Sequence, residues 1–197
     1  CAVTADDGVL YVSDRWNHRV RAVTLGGTFG TALVAGDATS GFVDGPTARF
    51  RYPTCLAVAG SGDIFVSEYD HGTIRRIAAD HSTTTTVAGT GAQGFTNAVG
   101  TAARFQVVWG ASIDVATGNV YIAEYNNVIR KATPGGSVTT FITQVAGTFS
   151  NPTGVAIYKA DLWIADHGNS AIKLAPIATG TVTGFRGGIG NVLKLVF

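Results

Sequence analysis

The chain is a succession of short apolar runs. Each run closes on a carboxylate and is followed, after a few polar residues, by a second run carrying a basic residue. At 8–23 the letters read GVLYVSDRWNHRVRAV, and the design returns at 62–77 (GDIFVSEYDHGTIRRI), 118–132 (GNVYIAEYNNVIRKA) and 160–174 (ADLWIADHGNSAIKL). An aromatic residue keeps one place in every copy: Tyr11, Phe65, Tyr121 and Trp163. Self-similarity at such a period marks a repeat architecture, in which no unit can bury its apolar face alone.

Each unit parses as four strands. The first falls at 1–5, 54–59 after Pro53, 107–115 and 153–157 after Pro152; the second is 9–13 and its copies. The third carries Val20-Arg21, Ile74-Arg75, Ile129-Arg130 or Ile172-Lys173. A Thr- and Val-rich fourth strand ends in Ala-Gly at 31–36, 83–89 and 140–147, and in the last unit it is expected at 180–183 or 191–197. Second strands such as VLYV do not alternate apolar with polar, so both of their faces must be covered. No helical pattern links the strands, which excludes parallel crossover folds. Four-stranded antiparallel units stacked face to face about an axis make a β-propeller. The expected fold is therefore all-β: a single propeller domain or fragment over 1–197, with blades at about 1–36, 53–89, 107–147 and 152–197.

The connections 36–52 and 89–106 both hold Gly-Phe, a turn, and Ala-Arg-Phe (Ala48-Arg49-Phe50 and Ala103-Arg104-Phe105). The matched phenylalanines predict that each connection packs back on its blade. After Lys173 the pattern degrades into turn chemistry and a final apolar stretch.

Composition narrows the function classes. Charged residues are 14% against a usual share of about 25%. A net charge of +1 argues against nucleic acid as a partner. No apolar run approaches the ~18 residues of a bilayer span, so membrane insertion is not expected. The chain has no Met and starts at Cys1 inside a repeat, which leads us to expect a processed or excerpted chain. Cys1 and Cys55 hold equivalent places in neighbouring units and are expected as small buried hydrophobes rather than a disulfide.

Asn17-His18-Arg19-Val20-Arg21 and Pro152-Thr153-Gly154-Val155-Ala156-Ile157 resemble the motifs of the NHL-repeat propellers, and four copies in phase extend the resemblance over most of 1–175. The pattern departs at Glu68 and Glu124, where Asp is usual, and the Asn-His pair is lost in later units. The resemblance implies a ring, most often of six blades. Four are visible, so the others are expected from further chain or from a partner; an open arc exposes two apolar faces.

Asp14, Glu68, Glu124 and Asp166 end every second strand. A shared end of the disc would let them meet a cation or a basic partner. Their strict repetition favours a structural role instead, accepting backbone N–H groups or pairing with the base of the following strand. His18, His71 and His167 share one turn while His81 lies elsewhere, and turn residues of different blades diverge, so no metal site is expected. The related peptidyl-hydroxyglycine lyases place zinc-binding histidines just after the Pro of the first strand. Thr54, Cys55, Thr153 and Gly154 stand there in this chain, which argues against lyase chemistry. No nucleophile elbow or phosphate-cradling loop occurs; neither catalytic residues nor a cofactor are expected.

Basic residues with aromatic neighbours (Arg15, Arg19, Arg49, Arg51, Arg75, Arg76, Arg104, Arg130 and Lys131, with Trp16 and Tyr69) could stack single-stranded RNA, but at this net charge they read as solvated faces and ion pairs. The expected interaction surface is Arg15, Trp16, Arg19, Tyr69, Arg76 and Tyr125. These features point to a non-catalytic protein-interaction or scaffold module in an extracellular or surface assembly, joined to a protein partner or to itself. The alternatives are a lyase- or hydrolase-like propeller enzyme with an axial metal site, and a single-stranded RNA binder.

Overall fold

Strands β1 (Val3–Asp6), β2 (Val9–Asp14), β3 (Arg19–Thr24) and β4 (Thr31–Ala35) form the first blade of a computed structural model that describes residues 3–6, 8–26, 30–143 and 149–187. The second blade is β5 (Pro53–Val58), β6 (Ile64–Glu68), β7 (Thr73–Ile77) and β8 (Thr84–Ala88). The third is β9 (Val108–Ile113), β10 (Val120–Glu124), β11 (Val128–Ala132) and β12 (Val138–Ile142). The fourth is β13 (Pro152–Tyr158), β14 (Asp161–Asp166), β15 (Ala171–Pro176) and β16 (Thr183–Gly187). Every blade is an antiparallel meander in sequence order, so the fold is an all-β propeller of four-stranded blades.

Local chemistry sets the tight turn between the second and third strands. In each blade one turn residue is left-handed: His18 (φ 54°), Gly72 (54°), Asn127 (63°) and Ser170 (47°). Glycine and asparagine take that conformation at little cost, while His18 and Ser170 are held there by the strands on either side.

Two strand placements differ from expectation. The fourth strand of the third blade starts at Val138, because it pairs from Ala132 outward along β11; residues 144–147 of the predicted span lie outside the described residues. In the fourth blade the outer strand is Thr183–Gly187 rather than 180–183, since Thr179 and Gly180 both donate to the Pro176 carbonyl and the chain is still turning there. The alternative at 191–197, and Cys1, lie outside the described residues.

Blades pack through apolar faces. Val20, Val34 and Phe50 meet Leu56, Ile64, Val66 and Ile77 between blades one and two. Phe65, Ile74, Ala88 and Phe105 meet Val108, Val120, Ile122 and Ala132 between two and three. Tyr121, Ala123, Ile129 and Ile142 meet Phe149, Val155, Leu162 and Ile164 between three and four. This explains the unbroken apolar second strands: all of β6 and β10 is buried. Inner strands touch in order, β1 on β5, β5 on β9 and β9 on β13, and no extensive contact joins the first blade to the fourth among the described residues. The approach is tightest where a Cβ on Gly110 would lie 2.7 Å from the Thr153 carbonyl oxygen.

Each long connection seats on the blade it enters. Gly45 and Thr84 exchange backbone hydrogen bonds at 2.8 and 3.1 Å, and Val138 donates to the Ala98 carbonyl at 2.8 Å. The connections thereby cover the outer edges of β8 and β12, which would otherwise present open ladders.

Candidate functional site

The repeated carboxylates form an internal lock. Glu68 accepts the Arg51 backbone N–H at 2.6 Å, Glu124 that of Gln106 at 3.1 Å, and Asp166 that of Ser150 at 2.7 Å. Each accepted amide lies two residues before the inner strand of the same blade, so the carboxylate pins the chain as it enters. The same groups pair with the basic residue of the third strand: Glu68 with Arg75, Glu124 with Arg130, Asp166 with Lys173 and Asp14 with Arg21.

Arg75 and Arg130 sit in matching sockets made by the connections. Arg75 donates to the carbonyls of Arg49 and Val43 and to the Asp44 carboxylate, between the rings of Phe42 and Phe50. Arg130 donates to the carbonyls of Arg104 and Thr96 and to the Asn97 side chain, between Phe95 and Phe105. A buried guanidinium is tolerable when its charge and most of its donors are met; in both sockets the two terminal nitrogens are served and Nε is left without a partner. Burial pushes the Glu124 carboxyl up, against the pull of Arg130 and the Gln106 amide, and pushes Arg130 down. Asp14, less covered, is shifted down, chiefly because the Asn17 amide donates to it and with help from Arg21.

The same end of the disc carries a second arrangement. In a meander the turns between second and third strands lie beside the entries to the first strands. Arg15 and Trp16 from the first turn therefore meet Tyr52, at the entry to β5, and Tyr69, in the second turn. The Arg15 guanidinium lies 4.5 Å from the Tyr69 ring centroid, 5.3 Å from Trp16 and 5.7 Å from Tyr52. Trp16 meets Tyr52 edge to face at 5.3 Å, and Tyr69 meets Trp109 at 4.9 Å. One cation thus joins an aromatic row running across three blades, and Trp16 remains 74% exposed. Cation–π contacts of this kind contribute about 0.5–1 kcal/mol each at exposed sites.

Of the residues expected on an interaction surface, Arg15, Trp16 and Tyr69 converge. Tyr125 is exposed at the same end, on the third turn. Arg19 stands opposite Asp14 in the ladder. Arg76 is separate: it pairs at 3.0 Å with Asp63, on the turn joining β5 to β6 at the far end of the blade. Tyr52 and Trp109 escape a sequence reading because their partners belong to other blades; their shared place at inner-strand entries is the signal that could have found them.

The histidines do not converge. His18 packs on Tyr52 and His71 on Phe42, while His81 lies against Tyr11. Burial shifts the His71 imidazole down, which suits it to accept from Arg51 at 3.1 Å. Among the described residues no group of three His, Cys, Asp or Glu side chains could hold a metal ion. Cys55 is buried and directs its thiol at the Ala111 carbonyl, 3.3 Å away.

No family model and no curated protein sequence matches the chain. Solved structures do match. A streptogramin B lyase aligns at 16% identity with a TM-score of 0.64, over 93% of this chain and 53% of that one. A catalytically inactive histidine-to-alanine variant of virginiamycin B lyase from Staphylococcus aureus, with quinupristin, aligns at 16% identity and a TM-score of 0.65, over 94% and 54%. The selenomethionine-substituted virginiamycin B lyase from Staphylococcus aureus gives 16% identity and a TM-score of 0.62, over 93% and 54%. At this identity the likeness shows the propeller fold alone, and the chain spans about half the length of the structures it matches.

Proposed function

We propose that this chain is a non-catalytic, NHL-type propeller module that binds a protein partner through the face carrying Arg15, Trp16 and Tyr69, within a larger extracellular or surface assembly. The observation that carries this reading is the row of exposed Trp16 and half-buried Tyr52 and Tyr69 gathered around Arg15 and continued by half-buried Trp109 against Tyr69. Trp, Tyr and Arg are the residues that dominate protein-interface energetics. The repeated acids and bases are already consumed in locking the blades, which removes them from the pool of free catalytic groups.

The test is selection of displayed peptides on the wild-type chain, followed by affinity measurement on Arg15→Ala and Trp16→Ala variants whose folding is checked by circular dichroism. Enriched ligands should bring acidic and aromatic residues, and either substitution should weaken binding tenfold or more, about 1.4 kcal/mol. Ligands indifferent to both substitutions would sink the proposal. For the extracellular placement, protease added to intact cells should cleave the protein.

The enzyme alternative is favoured by the fold shared with the lyases. Incubation with quinupristin followed by mass spectrometry decides it, since a new product forming at a rate proportional to the chain supports catalysis. An RNA-binding role requires affinity for single-stranded RNA that falls steeply with salt and disappears in Arg15→Ala.

A further inference from the structure

Two imidazoles hold the segment that enters the second blade. Tyr52, the last residue before β5, donates its backbone N–H to His18 Nδ1 at 3.4 Å, and the two rings pack with centroids 5.1 Å apart. One residue earlier, the Arg51 guanidinium donates to His71 Nε2 at 3.1 Å. An arginine can only donate. His71 Nε2 therefore offers its lone pair, and the ring is neutral with its proton on Nδ1, an atom shut away from solvent without a hydrogen-bond partner. Tyr52 stands between the two holds with a left-handed backbone (φ 52°), a conformation that a bulky residue keeps only where its surroundings enforce it.

The entry to the fourth blade uses the same device with different chemistry. Asn151 takes the place of Tyr52, is again left-handed (φ 52°), and donates its N–H to Asn127 Oδ1 at 2.8 Å. Asn127 is the turn residue equivalent to His18. Where that junction uses an acceptor that never titrates, the junction between the first and second blades uses one that becomes a donor on protonation. His71 faces Arg51 and Phe42 of the connection 36–52, Glu68 and Asp70 of its own hairpin, Arg75 of β7 and Gly91 of the next connection. Burial holds its pKa below 6.5, helped by Arg51 and Arg75 and opposed by Glu68 and Asp70. His18 faces the Tyr52 ring, beside Asp14, Arg15 and Arg19 of its own turn.

We propose that His18 and His71 form an acid-sensitive latch on the entry to the second blade: protonation turns both acceptors into donors, sets an imidazolium against the Arg51 guanidinium and releases residues 51–52. Arg51 then keeps only Asp70, 4.0 Å away. Tyr52 supplies one ring of the Arg15–Trp16 row, so the latch sets the shape of that face independently of what binds there.

NMR titration of the 197-residue chain between about pH 5 and pH 8, the range in which histidines change charge, tests this. The Arg51 side-chain N–H signal should move with the midpoint of the His71 ring protons, and the Tyr52 amide with that of His18. His71→Gln keeps an acceptor that cannot titrate and should flatten the Arg51 step. His18→Asn, the choice made at Asn127, should flatten the Tyr52 step. Arg51→Ala, at a side chain 47% exposed, should raise the His71 midpoint, and it carries the test should either histidine variant misfold. Stability has a matching sign. The unfolded chain takes up the His71 proton first, so the contribution of the neutral ring is full above about pH 6.5 and is lost as pH falls through the lower folded value. The urea midpoint should therefore drop between about pH 7.5 and pH 5.5, and drop less in His71→Gln. Arg51 and Tyr52 signals that stay flat in wild type, or that keep their steps in the histidine variants, overturn the latch. A His71 midpoint that Arg51→Ala leaves in place or lowers does the same.

Discussion

Glu124 and Arg130 hold each other at 2.9 Å with both side chains wholly out of solvent, whereas Asp14 and Arg21, at the same positions of the first blade and the same distance, stay partly exposed. One sequence motif therefore produces two electrostatic situations, and the covering blade makes the difference.

The contrast predicts unequal costs for equivalent substitutions. Glu124→Gln leaves a buried guanidinium without its counter-charge and should destabilise by about 3–5 kcal/mol. Asp14→Asn removes half of a partly exposed pair and should cost about 1 kcal/mol or less. Urea unfolding of the two variants beside wild type checks this; equal midpoints would contradict the buried lock.

Inner-strand packing gives a steric prediction. A side chain on Gly110 meets the Thr153 carbonyl and the Gly154 Cα at 2.7 and 2.8 Å. Gly110→Val should lower stability by about 1–3 kcal/mol through overpacking, read as a lower thermal midpoint. Trp16→Ala, on an exposed ring, should move the midpoint little, which makes it a clean probe of binding.

The carboxyls predict how stability follows pH. Asp14, Asp37 and Asp80 are shifted below 3.8, chiefly by hydrogen bonds from Asn17, Arg49 and Ser82 respectively. The unfolded chain binds their protons first, so the stability they contribute is present above about pH 3.8 and is lost as pH falls through the lower folded values. Urea midpoints should therefore fall below pH 4, and Asp14→Asn should flatten that fall. A midpoint that rises on acidification would refute the assignment.

Sequence period alone made the blades legible. The aromatic at 11, 65, 121 and 163 and the continuous apolar second strands place four antiparallel units, because a strand apolar on both faces has to be sandwiched. The connection motif was legible as well, through Phe50 and Phe105, but the blade each connection seats on was not. That depends on the edge hydrogen bonds of Gly45 with Thr84 and of Val138 with Ala98, which leave no trace in composition. The late start of β16 was hidden for a similar reason: the turn at Pro176–Gly180 consumes residues whose β-branched neighbours suggest a strand.

What the sequence by itself determined is therefore the repeating unit: four strands, a carboxylate ending the second, a base in the third, and a short polar turn between them. These are local properties, set by backbone sterics and by apolar and polar runs spanning a few residues. Only the tertiary structure decided what each copy does. It buried Glu68, Glu124 and Asp166 and left Asp14 partly exposed, drew Tyr52 to Arg15 and Trp109 to Tyr69 from distant segments, and separated Arg76 from that row. The reason is that burial, ring stacking and desolvation are made between blades, and their strength depends on which face finds a neighbour rather than on which residue stands in line.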